Sequence, residues 1–232
     1  MDKIIYSPSL ICLDLLSIRS EVQEIENLGC EFLHVDVIDG QYSPDNPLAI
    51  DTVKKLRKET NLIFDAHLMS KNNETFVELL LDCGVDRLCF HTEYEPRPTI
   101  LLRKIKNAGC KAGIAISPET SLESVKHLLW LCDFVLFMRI DAGYAHLLQT
   151  EPYPFLMDKI LEFYRYTRKN GLSVQFEVDG RVGFEDIEPL CRVGVSVFVL
   201  GSKSLFSSAH SWAENWSKLK KIASRAEEKA TN

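Results

Sequence analysis

The chain has 232 residues, 46% hydrophobic and 26% charged, which is ordinary globular usage and excludes a disordered, collagenous or low-complexity protein. Its net charge is −6, from 27 basic and 33 acidic residues, with a short basic run at Lys218–Lys221. A nucleic-acid partner is therefore not expected, because neutralising phosphates needs clustered Lys and Arg.

The N-terminus leads into only about eight mostly apolar residues, too few for a secretory signal with its cleavage site or for a membrane span. They form the first predicted strand, Ile4–Leu10. A repeating unit follows: a helical stretch ends in Gly, and a short apolar strand ends in polar residues. A helix at Leu16–Asn27 and Gly29 precedes a strand at Phe32–Asp36. The helix Ile50–Lys58 precedes Leu62–His67, and the helix Asn73–Asp82 with Gly84 precedes Leu88–His91. The helix Thr99–Asn107 with Gly109 precedes Gly113–Ser117, and Leu122–Leu131 precedes Phe134–Met138. The helix Phe155–Lys169 with Gly171 precedes Val174–Asp179, and Phe184–Arg192 with Gly194 precedes Val197–Ser202. A long helix within 204–232, at about Ser211–Lys229, closes the chain. Gly after a helix takes the left-handed cap conformation. Strands apolar at consecutive positions are buried on both faces. Eight such units predict an α/β protein, a (β/α)8 TIM barrel, as a single domain over 1–232. An open doubly wound sheet is the alternative, but no Gly-x-Gly-x-x-Gly follows the first strand. The seven cysteines include no Cys-x-x-Cys pair. In a chain of this size an odd number argues against a disulfide framework and for the reducing cytoplasm.

Functional residues of this barrel gather where the strands end. Those ends carry Ser9, His34 with Asp36, His67 with Met69, His91, Ser117, Met138, Asp179 with Gly180, and Gly201 with Ser202. His34 and Asp36 are two apart, so on a strand both face the barrel interior. Two His and two Asp at one mouth suit a divalent cation of the zinc, manganese, iron or cobalt type. His127 and His210 read as helix-surface residues, and His146 as a loop residue. Asp39 reads as a loop residue bonded to backbone. Asp65 reads as one position out of phase with the interior-facing run. Neither is assigned to chemistry.

The motifs Ser7-Pro8-Ser9-Leu10, His34-Val35-Asp36-Val37-Ile38-Asp39-Gly40, Asp65-Ala66-His67-Leu68-Met69, His91-Thr92-Glu93, Gly113 through Thr120, Glu177-Val178-Asp179-Gly180 and Gly201-Ser202 come in one order across nearly the whole chain. Together they resemble the ribulose-phosphate 3-epimerase family; Cys12–Leu16 and Ser204-Leu205-Phe206 are similar to its allulose-6-phosphate branch. The resemblance implies a cytoplasmic, homo-oligomeric isomerase whose partner is a small sugar phosphate. It implies a divalent metal, zinc first with iron, manganese or cobalt as alternatives, held by His34, Asp36, His67 and Asp179. Asp36 and Asp179 would be the catalytic pair, one removing the C3 proton to give an enediolate and the other returning a proton to the opposite face. Substrate-binding positions would be Ser9, His67, Met69, Met138, Gly143, Gly180, Arg181, Gly201 and Ser202. Met69 and Met138 would either cap the intermediate or simply fill the core.

The sequence departs from the family's pattern at several places. Ile38 stands where the family has Met. The loop after the sixth strand, Asp141–Gln149, lacks the family's Gly pair, and Gly-rich loops hold phosphate through backbone amides. Arg181 replaces the family's second Gly after Asp179, and Arg139 replaces a small residue. Arg181 would supply a bidentate phosphate contact in place of the lost amides; otherwise both arginines serve ion pairs. An altered loop also admits a second reading, a non-catalytic or substrate-shifted relative that binds another sugar or a protein. Decarboxylase-type barrels carrying Asp-x-Lys-x-x-Asp are set aside, because Val37 and Ile38 follow Asp36.

Overall fold

The computed structural model describes residues 3–45, 48–145 and 151–231. Eight parallel strands form one sheet, each followed by a helix: β1 (Ile5–Pro8), α1 (Ile18–Asn27), β2 (Phe32–Ile38), α2 (Ile50–Leu56), β3 (Ile63–Met69), α3 (Asn73–Cys83), β4 (Arg87–His91), α4 (Pro98–Asn107), β5 (Lys111–Ile116), α5 (Leu122–Val125), β6 (Phe134–Met138), α6 (Leu156–Lys169), β7 (Gln175–Asp179), α7 (Ile187–Arg192), β8 (Val195–Leu200) and α8 (Trp212–Thr231). Neighbouring strands follow the order β1-β8-β7-β6-β5-β4-β3-β2. The circle closes through one parallel bridge, Ser9 to His34. This is the expected (β/α)8 barrel.

Two apolar layers hold it. Strand residues such as Leu33, Val35, Phe64, Ala66, Phe90 and Val135 face outward and are covered by the helices. Their neighbours Ile38, Met69, Cys89, Ala115, Phe134, Leu136, Met138 and Val199 face inward and pack on one another. The alternation follows from the two-residue period of a strand, and it makes every strand buried on both sides.

The expected elements differ in places. β1 stops at Pro8, and Leu10–Cys12 form a 3-10 turn. α1 begins at Ile18, leaving Leu16 almost fully exposed. The fifth helix breaks after Val125 and resumes as a 3-10 turn at Leu128–Trp130. Residues 204–210 are turns and loop, so the closing helix is α8 alone, and His210 is exposed outside any helix. His146 and the stretch 146–150 of the loop after β6 lie outside the described residues.

Candidate active site

The ends of β2, β3 and β7 bring His34, Asp36, His67 and Asp179 together. One ligand atom from each of the four lies within 4.8 Å of the others. Within β2, His34 and Asp36 share the inner face by the two-residue period; β2 and β3 then pair so that Asp36 stands beside His67. His67 Nδ1 is 3.0 Å from Asp36 Oδ1 and 3.8 Å from Asp179 Oδ2. Ser9 Oγ donates to Asp36 Oδ2 at 3.0 Å, and the Gly180 amide donates to Asp179 Oδ1 at 2.6 Å.

The buried charges set opposite tendencies. Burial alone would raise the Asp36 carboxyl, but His34 and His67 outweigh it and hold Asp36 well below the usual carboxylate range. Asp179 moves the other way, pushed up by burial and by the Asp36 charge. Burial works against a charge on His34, yet Asp36, Asp65 and Glu177 raise its pKa well above the ordinary value. The surrounding field therefore favours a cation at this point. Nε2 of His34 is buried, meets no hydrogen-bond geometry and lies 3.3 Å from Asp36 Oδ1. That orphaned nitrogen beside two carboxylates and a second imidazole is a donor set that fits a divalent metal.

Each imidazole is held from behind. His34 Nδ1 lies 3.3 Å from Asp65 Oδ2 and 3.5 Å from Glu177 Oε1. Those two acids are bound in turn by Arg87, whose Nε donates to Asp65 at 2.8 Å and Nη2 to Glu177 at 2.7 Å. His67 Nε2 is 3.0 Å from His91 Nε2, and His91 Nδ1 is 3.2 Å from Glu93. Glu93 is fixed by the Ser117 amide and the Thr120 hydroxyl. Burial lowers His91 to about 4, so it stays neutral beside His67. Partners behind a ligating imidazole fix which nitrogen faces the ion.

Asp65 thus corrects the sequence reading. It lies two residues before His67, which puts both on the inner face, and it is buried at the centre of a polar network with Ser7, His34 and Arg87. Arg87, Glu177 and His91 were also not assigned. The parity rule that found His34 and Asp36 finds Asp65 from His67 and Glu177 from Asp179. Asp39 behaves as expected, accepting from the amides of Gln41, Tyr42 and Lys71.

The remaining candidates line one cleft above the cluster: Ser9, Met69, Met138, Gly143, Gly180, Arg181, Gly201 and Ser202, together with Cys12, Asp45 and Asp141. Met69 and Met138 are each 2% exposed and belong to the inner apolar layer, so they fill the core and line the cleft at once. Gly143 has φ +75, and a Cβ there would stand 2.6 Å from Ser43 Oγ, so this loop residue must be Gly. Arg139 does not enter the cleft: its guanidinium forms a two-pronged pair with Asp186 at 2.8 and 2.7 Å.

Residues 5–206 match the profile of the ribulose-phosphate 3 epimerase family. The chain belongs to the ribulose-phosphate 3-epimerase family. Among curated relatives, a ribulose-phosphate 3-epimerase of Helicobacter pylori strain J99 is 32% identical over 196 residues, covering 84% of this chain and 88% of the relative. One from Eremothecium gossypii is 30% identical over 220 residues, covering 90% and 89%. These family members are carbohydrate isomerases. Among solved structures, a 3-hexulose-6-phosphate synthase from Salmonella typhimurium superposes with a TM-score of 0.70 at 15% identity, over 96% of this chain and 100% of that one. A 3-keto-L-gulonate-6-phosphate decarboxylase from Vibrio cholerae gives 0.69 at 12% identity, over 97% and 99%. At such identities these last two show the shared barrel. Among the described residues no helix is long and apolar enough to cross a membrane.

Proposed function

We propose that this family member is a metal-dependent 3-epimerase of a ketose phosphate, a pentulose 5-phosphate or hexulose 6-phosphate, working through two carboxylates. The observation that carries the reading is the convergence of His34, Asp36, His67 and Asp179 at the barrel mouth. His34 through Nε2, His67 through Nδ1 and the two aspartates would hold the cation. Zinc is the first choice for this donor set, with iron, manganese or cobalt as alternatives. When bound, the cation supplies Lewis-acid stabilisation of the negative charge that develops on the sugar. One of Asp36 and Asp179 takes the C3 proton, leaving a 2,3-enediolate, and the other gives a proton to the opposite face. The reaction runs in both directions, so each carboxylate serves as base for one epimer and acid for the other. Met69 and Met138 exclude water. The seven cysteines are free thiols, which supports the cytoplasm as the compartment, and a homo-oligomer is the assembly that goes with the reading. Metal-loaded protein in heavy water is expected to place deuterium at C3 of ribulose 5-phosphate or allulose 6-phosphate, and chelator-treated protein to place none. Exchange that persists after chelation, with metal content verified as absent, would sink the metal-dependent reading.

We infer that the phosphate lies among Gly180, Arg181, Gly201 and Ser202, since the loops after the last strands of this fold form its usual phosphate pocket. Arg181 carries much of that binding. Among the described residues the cleft is lined by Asp36, Asp45, Asp141 and Asp179 against the guanidinium of Arg181, and Arg181 stands 4.0 Å from the exposed Glu151. Arg181→Ala is expected to raise KM for the phosphorylated ketose about tenfold or more relative to its unphosphorylated analogue, the usual worth of a charge-assisted contact. The acidic lining favours one other reading, a substrate-shifted relative. Equal effects of Arg181→Ala on both sugars, or outright preference for the unphosphorylated sugar, would select it.

A further inference from the structure

β6 and β7 end side by side, with Met138 paired to Asp179, and the residues that follow are tied together by Arg139. Its backbone amide donates to the Asp179 carbonyl at 2.7 Å. Its side chain, on a residue only 7% exposed, reaches across to the loop between β7 and α7. Nη1 and Nη2 donate to the two carboxylate oxygens of Asp186 at 2.8 and 2.7 Å, and Nη1 also donates to the Arg181 carbonyl at 3.2 Å. Asp186 Oδ2 accepts in addition from the Gly183 amide at 2.7 Å. One buried fork thus binds the loop at residues 181, 183 and 186 through a single carboxylate and a single carbonyl.

The held residue is unusual. Arg181 has φ +52, and among the described residues no other non-glycine has positive φ. A long side chain persists in that region only where the surroundings over-determine it, and such strain gathers at functional sites. Just before it, Gly180 has φ +105, and a Cβ there would stand 2.8 Å from Ile140 Cγ1. Two consecutive left-handed residues turn the chain sharply after Asp179 and put Arg181 in the wall of the cleft. The Arg181 carbonyl that Arg139 grips belongs to the same peptide turn, so releasing the grip frees Arg181 to relax to negative φ and carry its guanidinium elsewhere.

We propose that Arg139 and Asp186 form a positioning clamp that keeps Arg181 left-handed and thereby sets recognition of the substrate's terminal oxyanion; this rests on the reading of Arg181 as the phosphate contact. Lys is not equivalent to Arg here, since one ammonium cannot serve both carboxylate oxygens and the carbonyl in a fixed plane.

The test is steady-state kinetics on the metal-loaded enzyme, with whichever ketose phosphate it turns over and with the same sugar lacking phosphate. The variants are Arg139→Leu, Arg139→Lys, Asp186→Asn, Arg181→Ala and the double Arg139→Leu/Arg181→Ala, with folding checked by circular dichroism. Arg139→Leu is expected to raise KM for the phosphorylated sugar about tenfold, the worth of the contact it misplaces, with a far smaller change in kcat and in the unphosphorylated sugar's kcat/KM. Arg139→Lys should resemble Arg139→Leu rather than the parent enzyme. Asp186→Asn keeps an acceptor for the Gly183 amide and so remains folded if the leucine variant does not; it should shift KM in the same direction. The double variant should discriminate no worse than Arg181→Ala alone, because both changes remove the same contact. Additive losses, or a phosphate preference that survives Arg139→Leu while Arg181→Ala abolishes it, overturn the clamp and leave the Arg181 reading intact. If Arg181→Ala itself spares the preference, the Arg181 reading fails and the clamp falls with it.

Discussion

Asp36→Asn and Asp179→Asn each lower turnover by roughly 10²–10⁴-fold, the usual contribution of a positioned proton-transfer group, while the protein keeps its fold. Inversion at C3 needs a proton carrier on each face of the sugar, so losing either carboxylate stops both directions. An amide is nearly isosteric and can still accept from Ser9 at position 36 or from the Gly180 amide at position 179. Asn also weakens a metal site, so metal content must be measured on the same samples. The two effects separate in heavy water. A variant that retains metal, and that still exchanges the C3 proton of one epimer without forming the other, has lost a single carrier. Parent-like epimerisation in either variant would refute the two-carboxylate mechanism.

Arg87→Leu lowers stability by about 3–5 kcal/mol, the cost of leaving buried charge uncompensated. Arg87 donates to Asp65, Glu177 and Gln175 at 2.8, 2.7 and 2.6 Å and lies 4.0 Å over the Phe134 ring. Both acids are 1% exposed, so water cannot replace the guanidinium. The penalty should also depend on pH. Burial and the Asp65 charge already push Glu177 up to about 7 in the parent; without Arg87 it rises further, and Asp65, which Arg87 and His34 hold well below the usual carboxylate range, loses part of that hold. A carboxyl whose folded pKa lies above its unfolded one favours the fold when protonated, and that contribution is lost as pH rises through the folded value. The variant is therefore closest to the parent near pH 5 and furthest from it near pH 8, read from denaturant midpoints at each pH. A penalty below about 1 kcal/mol at pH 8 would mean that solvent reaches the network.

Much of this was legible in the chain because the barrel repeats its grammar. Gly84 and Gly109, both left-handed, mark helix ends ahead of strands, and the polar residues after each apolar run mark the mouth. His34 and Asp36 were readable as a pair because the two-residue strand period needs no partner strand. The same parity places Asp65 with His67 and so points to the support behind His34. Arg87 was missed because a charge at the start of an apolar run looks like the preceding loop; only the barrel's closed interior gives it acids to bind. His91 was visible at a strand end, but its contact with His67 depends on how β3 and β4 sit side by side. The pairing of Arg139 with Asp186 spans 47 residues, and nothing local to either announces it. The fifth helix is shorter than its sequence suggests because the apolar spacing continues through Leu128 and Leu129, whose burial is achieved by a 3-10 turn instead.

The single bridge between Ser9 and His34 makes the joint between the first two strands the weakest in the ring's backbone bonding. What spans that joint instead are side chains of the site: Ser9 to Asp36 at 3.0 Å, and one step deeper Ser7 across to Asp65 at 3.2 Å. Local opening of a fold begins where ladder bonds are fewest. An ion held by Asp36 on β2 and Asp179 on β7 would therefore tie the two sides of that joint together across β8 and β1, a latch on the cylinder as well as an electrophile. With such an ion bound, closing the ring and assembling the reaction centre would become one cooperative event.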